Sequence, residues 1–159
     1  MSNQAITSGT TLVVVPCGKA KIWDKSPQAG PTAARDVYVG SPFKVNRTYA
    51  ERFGDRWVIL SAKYGLIDPD DIIEEPYNVT FKDVRTNPVG IGTLRAQVTD
   101  AHLGGNGLVL ALGGKDYRRV LQAAFAPTEV VFPFAGLPLG YALRATKRAV
   151  VEGVAIPAH

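Results

Sequence analysis

The chain has 159 residues, 46% of them hydrophobic and 20% charged, with 16 Gly and 11 Pro. That size fits one domain able to bury a core without staples, and the composition excludes a disordered or fibrous chain. Eighteen Lys and Arg against fourteen Asp and Glu give a net charge of +4, and the single cysteine, Cys17, leaves no disulfide framework.

In chain order, Met1 to Thr11 lacks the charged and apolar regions of a signal peptide, and the first ten residues are expected to be mobile. Four apolar runs rich in β-branched residues follow: Leu12 to Pro16, Trp57 to Ser61, Leu108 to Leu112 and Glu129 to Pro133. Near-continuous apolar character over about five residues marks strands buried on both faces. None of the runs is long enough to span a bilayer, so the expectation is a soluble, cytoplasmic protein with no membrane partner. Helical patterns lie between and after the runs. Ser41 to Phe53 starts at Ser-Pro and carries Phe43, Val45, Tyr49, Ala50 and Phe53. A second opens at Asn87-Pro88 and runs towards Leu103. Asp116 to Ala126 carries an apolar stripe of Tyr117, Val120, Leu121 and Ala124. The fourth, Leu137 to Val151, is expected to end in a basic turn of Arg144, Lys147 and Arg148. The tail after Val154 is expected to be mobile.

Strand and helix alternating four times predict a single three-layer α/β/α domain over 11–159, with a mainly parallel central sheet of about four strands. Ligands of such sheets bind beyond the carboxyl ends of the strands. The segments there are Cys17 to Lys21, Ser61 to Gly65, Gly113 to Tyr117 and Phe134 to Pro138. All four contain Gly and three contain Lys, a grouping that core packing does not require.

Each segment supports a chemical reading beside a structural one. Gly18 permits close backbone approach, and Lys19 and Lys21 can pair with phosphates, although no Walker or dinucleotide fingerprint is present. Cys17 is either a nucleophile whose thiolate the lysines favour or a small residue closing a strand. Ser61 and Lys63 offer a hydroxyl and a positive charge. Gly114 and Lys115, followed by Tyr117, repeat the pattern after the third run. Asp68, Asp70, Asp71, Glu74 and Glu75 make an acidic stretch that contains no base, leaving 18 bases against 9 acids elsewhere. Their arrangement fits an Asx turn and no hard-metal loop, so no metal or cofactor is expected. Asp36 and Tyr38 share a side if that segment is extended, which makes Asp36 a candidate general base. Tyr77 and Asn78 can stack on and read a base, or simply form a turn.

Together these segments form an ordered pattern: Pro16-Cys-Gly-Lys-x-Lys21, Ala34-x-Asp36-x-Tyr38-x-Gly40-x-x-Phe43, Tyr49-Ala-Glu51, Ile59 to Leu66, Asp68-Pro-Asp70 and Pro76-Tyr-Asn78. The pattern resembles a family of small bacterial and phage proteins related to the YaaA peroxide-stress proteins, and more distantly domains with a uracil-DNA-glycosylase-like sheet. It covers Leu12 to Thr80, with Gly113-Gly-Lys115-x-Tyr117 and Gly136-Leu-Pro-x-Gly140 as weaker matches. The resemblance implies a shared pocket lined by Cys17, Lys19, Lys21, Asp36, Tyr38, Ser61, Lys63, Gly65 and Asp70. Relatives carry His where this chain has Tyr64, and longer YaaA proteins carry a helix-hairpin-helix insertion that it lacks.

The resulting expectation is an N-glycosylase-type hydrolase acting on a base of DNA, ahead of RNA, or on a nucleotide. In it Asp36, or otherwise Asp70, orients water beside a cationic sugar, with Lys63 as a further catalytic group. Cys17, Gly18, Lys19, Lys21, Tyr38, Ser61, Tyr64, Gly65, Tyr77, Asn78, Gly114, Lys115 and Tyr117 bind the substrate. The alternative is a nucleic-acid or nucleotide-binding protein without catalysis, for which Asp36 is dispensable.

Overall fold

A computed structural model describes residues 9–157. In chain order the elements are β1 (Thr11–Pro16), α1 (Ile22–Lys25), β2 (Thr32–Ala33), α2 (Ala34–Val37), α3 (Ser41–Phe53), β3 (Arg56–Ser61), β4 (Gly65–Ile67), β5 (Ile72–Ile73), α4 (Ile91–Asp100), β6 (Leu108–Ala111), α5 (Lys115–Phe125) and α6 (Leu139–Glu152). The main sheet has the order β4-β3-β1-β6, and β2 pairs with β5 in a separate ribbon. Both β3 and β6 run parallel to β1, while β4 returns antiparallel along β3. The protein is a three-layer α/β/α domain with a mostly parallel four-stranded sheet.

The alternation of side chains along β1 builds both halves of the core. Leu12 and Val14 face α4 and α5 together with Val58, Leu60, Val109 and Ala111. Val13 and Val15 face α3 and α6 with Ile59, Leu110 and Leu112. All four β1 residues are fully buried, and each contributes about 1.5–3 kcal/mol relative to exposure. Helix α3 begins at Ser41-Pro42 and turns Phe43, Asn46, Tyr49 and Ala50 inward, a stripe of helical period. Asn46 is the polar member of that stripe.

The chain leaves β1 through α3 on one face to reach β3. It then crosses by α4 on the other face to reach β6, on the opposite side of β1. The loops after β1 and β6 therefore diverge at a topological switch point, where doubly wound sheets open a crevice. Gly113, after β6, has φ +137°, and a Cβ there would meet Pro16 Cγ at 2.9 Å. Only glycine lets the two strand exits pass this closely.

Several sequence expectations need correction. Glu129 to Pro133 does not form a strand; Val131 alone makes a parallel bridge to Leu110, between Val109 and Ala111. The segment is flanked by Pro127 and closed by Pro133, which has no amide to extend the ladder. The fourth strand is instead β4, which opens at Gly65, the last residue of the segment expected beyond the second strand. Asp36 does not share an extended face with Tyr38, because Asp36 lies in the helical turn α2. It is exposed, whereas Tyr38 is buried. Helix α4 starts at Ile91 rather than at Asn87, which adopts φ 60° after a short 3-10 turn. Helix α6 continues past Arg148 to Glu152, so its last turn carries no base. The tail is docked, since the Ile156 amide donates to the Tyr49 hydroxyl at 3.0 Å. Thr10 is likewise held, its carbonyl accepting from the Leu108 amide at 3.0 Å. The rest of the expected mobile start, 1–8, lies outside the described residues, Gly9 excepted.

Candidate functional site

Beyond the ends of β1 and β3 the sequence gathers hydroxyls and cations. Ser61 closes β3 fully buried, and its hydroxyl accepts from the amides of Lys63 at 3.2 Å and Tyr64 at 3.1 Å. That tight turn feeds β4. The Tyr77 hydroxyl lies 3.0 Å from Ser61 Oγ and is also hydrogen-bonded to the Tyr38 hydroxyl. Three hydroxyls from three separate segments thus form one chain. The Tyr64 and Tyr77 rings meet edge to face, with centroids 5.4 Å apart. Two lysines flank them. Lys21 Nζ lies 4.6 Å from the Tyr77 centroid, and Lys63 Nζ lies 5.2 Å from Tyr64 and 5.7 Å from Tyr77.

Cys17 sits half-buried behind this cluster, and the Tyr117 hydroxyl donates to its carbonyl at 3.3 Å. Burial pushes the Cys17 thiol above its ordinary value. The Ala62 amide, Lys21, Tyr117 and Tyr77 pull the other way without prevailing, so the environment favours a thiol over a thiolate. Burial also lowers Lys21, against the opposing pull of Cys17 and Asp24. The Lys21 ammonium donates to the Lys19 carbonyl at 3.2 Å. Tyr38, Tyr77 and Tyr117 are all raised, first by burial and then by neighbouring ionisable groups.

Among the expected site residues, the structure brings together Cys17, Lys21, Tyr38, Ser61, Lys63, Tyr64, Tyr77 and Tyr117. It does not bring Asp36 and Asp70 into contact with them. Asp36 pairs with Arg47 at 3.3 Å and Asp70 with Arg35 at 2.7 Å, in an exposed network joined through Glu51. Those arginines are their only ion-pair partners among the described residues. Lys19 and Asn78 are exposed. Gly18 is half-buried near the Phe43 Cβ. Gly65, with φ +79°, is where the backbone turns against the Gln97 amide, which accepts from the Leu66 amide at 2.8 Å and donates to the Tyr64 carbonyl at 2.9 Å. Sequence reading missed Gln97, because a helical Gln gives no sign that it latches a distant turn.

One hollow adjoins the cluster and a second stands apart from it. A recess of about 340 Å³ is lined by Tyr64, Ile67, Asp71, Ile72 and Ile73. On the β6 side, a cavity of about 400 Å³ lies between the starts of α5 and α6 and contains the expected Gly114 and Lys115. Its other polar wall residues, Asn46, Arg118 and Thr146, were not anticipated. A buried Asn in the apolar stripe of α3 was the available signal. Among the described residues no group of three or more His, Cys, Asp or Glu is placed to hold a metal ion. No helix among them is long and apolar enough to cross a membrane.

An α/β/α domain with rings, hydroxyls and lysines gathered at the carboxyl edge of a parallel sheet is the class that this fold and site define. From residue 12 to residue 148 the chain matches DUF6884, described as a family of unknown function, and it belongs to that family. It is also 39% identical over 143 residues to the uncharacterized protein YfjM of Bacillus subtilis (strain 168), covering 89% of this chain and 95% of that one. No solved structure matches it. Neither likeness carries a link to the peroxide-stress or uracil-DNA-glycosylase proteins that the motifs resemble.

Proposed function

We propose that the protein binds a nucleobase-bearing ligand, a nucleotide or an unpaired stretch of nucleic acid, at the carboxyl edge of its sheet. The observation that carries this reading is the Tyr64–Tyr77 ring pair with Lys21 and Lys63 beside it. Aromatic faces stack bases of any sequence, and nearby ammonium groups neutralise the adjoining phosphates. Tyr64 also walls the recess, where Ile67, Ile72 and Ile73 offer an apolar bed and Asp71 an acceptor for a base-edge N–H. The glycosylase expectation requires Asp36 or Asp70 to activate water, and their engagement with Arg47 and Arg35 favours binding over hydrolysis.

Titration with a single-stranded oligonucleotide and with a nucleoside monophosphate, at several salt concentrations, tests this. Wild-type protein should bind saturably and more weakly as salt rises. Lys63→Ala should reduce the salt slope by about one, and Tyr64→Ala should cost about 1–3 kcal/mol. Absence of saturable binding, or binding untouched by both substitutions, overturns the reading.

A further inference from the structure

The cavity beside β6 stands apart from the ring pair, and its walls share an electrostatic character. Helices α5 and α6, of 11 and 14 residues, both start there, from Gly114 and Pro138. Neither start has a side-chain cap. The first α5 amides to find an acceptor are those of Tyr117 and Arg118, on the Gly114 carbonyl. In α6 they are those of Tyr141 and Ala142, on the Pro138 carbonyl. The amides of Lys115, Asp116, Leu139 and Gly140 precede these, and such leading amides have no acceptor within their own helix. Each helix start is equivalent to roughly +0.5 of a charge. Lys115 and Arg118 also line the cavity, and neither is in an ion pair among the described residues. Asp116 opposes them from the same turn, but it is half-buried and is not a wall of the cavity.

A second observation comes from the opposite wall. Asn46 is only 6% exposed and lines the cavity. Its side-chain amide has no hydrogen-bond partner among the described residues, although every other residue of its stripe on α3 is apolar or aromatic. Its amide atoms are not sealed from water, and the access that they keep is through the cavity that Asn46 lines, so a polar atom there can bond to them. Phe132, Phe134 and Leu143 supply apolar surface between the Asn46 wall and the helix starts. The volume falls within the ordinary range of small-molecule sites.

We propose that this cavity binds a small organic phosphate monoester. The dianion lies across the starts of α5 and α6 beside Lys115 and Arg118, and the organic body lies against the phenylalanines with a polar atom bonded to Asn46. Two half-charges and two cations oppose a dianion better than a single carboxylate, which sets the ligand class. The site is separate from the Tyr64–Tyr77 reading and does not depend on it.

The test is an amide-resolved NMR titration with phenyl phosphate, with inorganic phosphate and phenol as its two halves. The expected result is saturable shifts at Gly114, Gly136 and Gly140 with phenyl phosphate, and binding at least about tenfold weaker for each half alone. Arg118→Ala, at a half-buried position of α5, should weaken phenyl phosphate about tenfold. Asn46→Asp, which keeps the size and adds a negative charge, should abolish it while the amide spectrum stays folded. Shifts confined to the Tyr64–Tyr77 region, no saturable shift, or equal affinity in the Arg118 variant would each overturn the proposal. If Asn46→Asp fails to fold, the Arg118 comparison decides.

Discussion

Tyr38 and Tyr77, 39 residues apart in the chain, share a hydrogen bond between their phenol oxygens, and Ser61 extends that bond into a chain of three hydroxyls. The link joins the segment after α2, the end of β3 and the loop after β5. Tyr38→Phe removes the terminal member and leaves Tyr77 with Ser61 as its partner, so it should cost about 1 kcal/mol in denaturant unfolding. Ser61→Ala also deprives the Lys63 and Tyr64 amides of an acceptor and should cost about 2 kcal/mol. Equal costs for the two would mean that the turn amides gain nothing from Ser61.

The same hydroxyls predict the alkaline behaviour. Tyr38, Tyr77 and Tyr117 are raised above the ordinary phenol range by burial, as is Tyr49. A raised phenol binds its proton more tightly folded than unfolded. Its contribution to stability is therefore fully present below a pH of about 10 and is lost as pH rises towards the folded value. Ultraviolet titration of the folded protein should show these four phenols ionising at higher pH than they do in denaturant, where the six tyrosines titrate together. All six phenols ionising in the folded protein at the pH where they ionise in denaturant would contradict this.

Asp36 separates the two functional readings. It is 57% exposed and pairs with Arg47 at 3.3 Å, a surface pair that contributes at most about 1 kcal/mol. Asp36→Asn should leave the unfolding midpoint nearly unchanged and nucleotide binding intact. Mass spectrometry for free base released from DNA completes the test. Release by wild type that vanishes in Asp36→Asn would restore the glycosylase reading.

Much of the fold was legible because burial on both faces writes itself into strands as unbroken apolar runs. Leu12 to Pro16, Trp57 to Ser61 and most of Leu108 to Leu112 are strands for that reason. The same rule overreached at Glu129 to Pro133, where side-chain character is right but only Val131 offers both an amide and a carbonyl to β6. It missed β4 because a three-residue return leaves no period to read. Within the site, Tyr38, Ser61 and Tyr77 carried their chemistry in their side chains and could be nominated. The engagement of Asp36 by Arg47 depends on how α2 docks against α3. The isolation of Asn46 depends on which side chains α5 and α6 bring to the cavity that it lines. Neither relation leaves a pattern along the chain.

The sheet order has a consequence for synthesis. Strand β1 leaves the ribosome before the other strands of its sheet, yet the partner for its second edge, β6, ends only at Ala111. Ser61, the end of β3, precedes that point by about fifty residues, so at ~5–20 residues per second the nascent chain carries a bare β1 edge for roughly 2–10 s. During that interval Leu12 and Val14 also lack the cover of α5. The nascent chain is therefore open to foreign strands for a time set by translation speed, and the danger ends when β6 emerges.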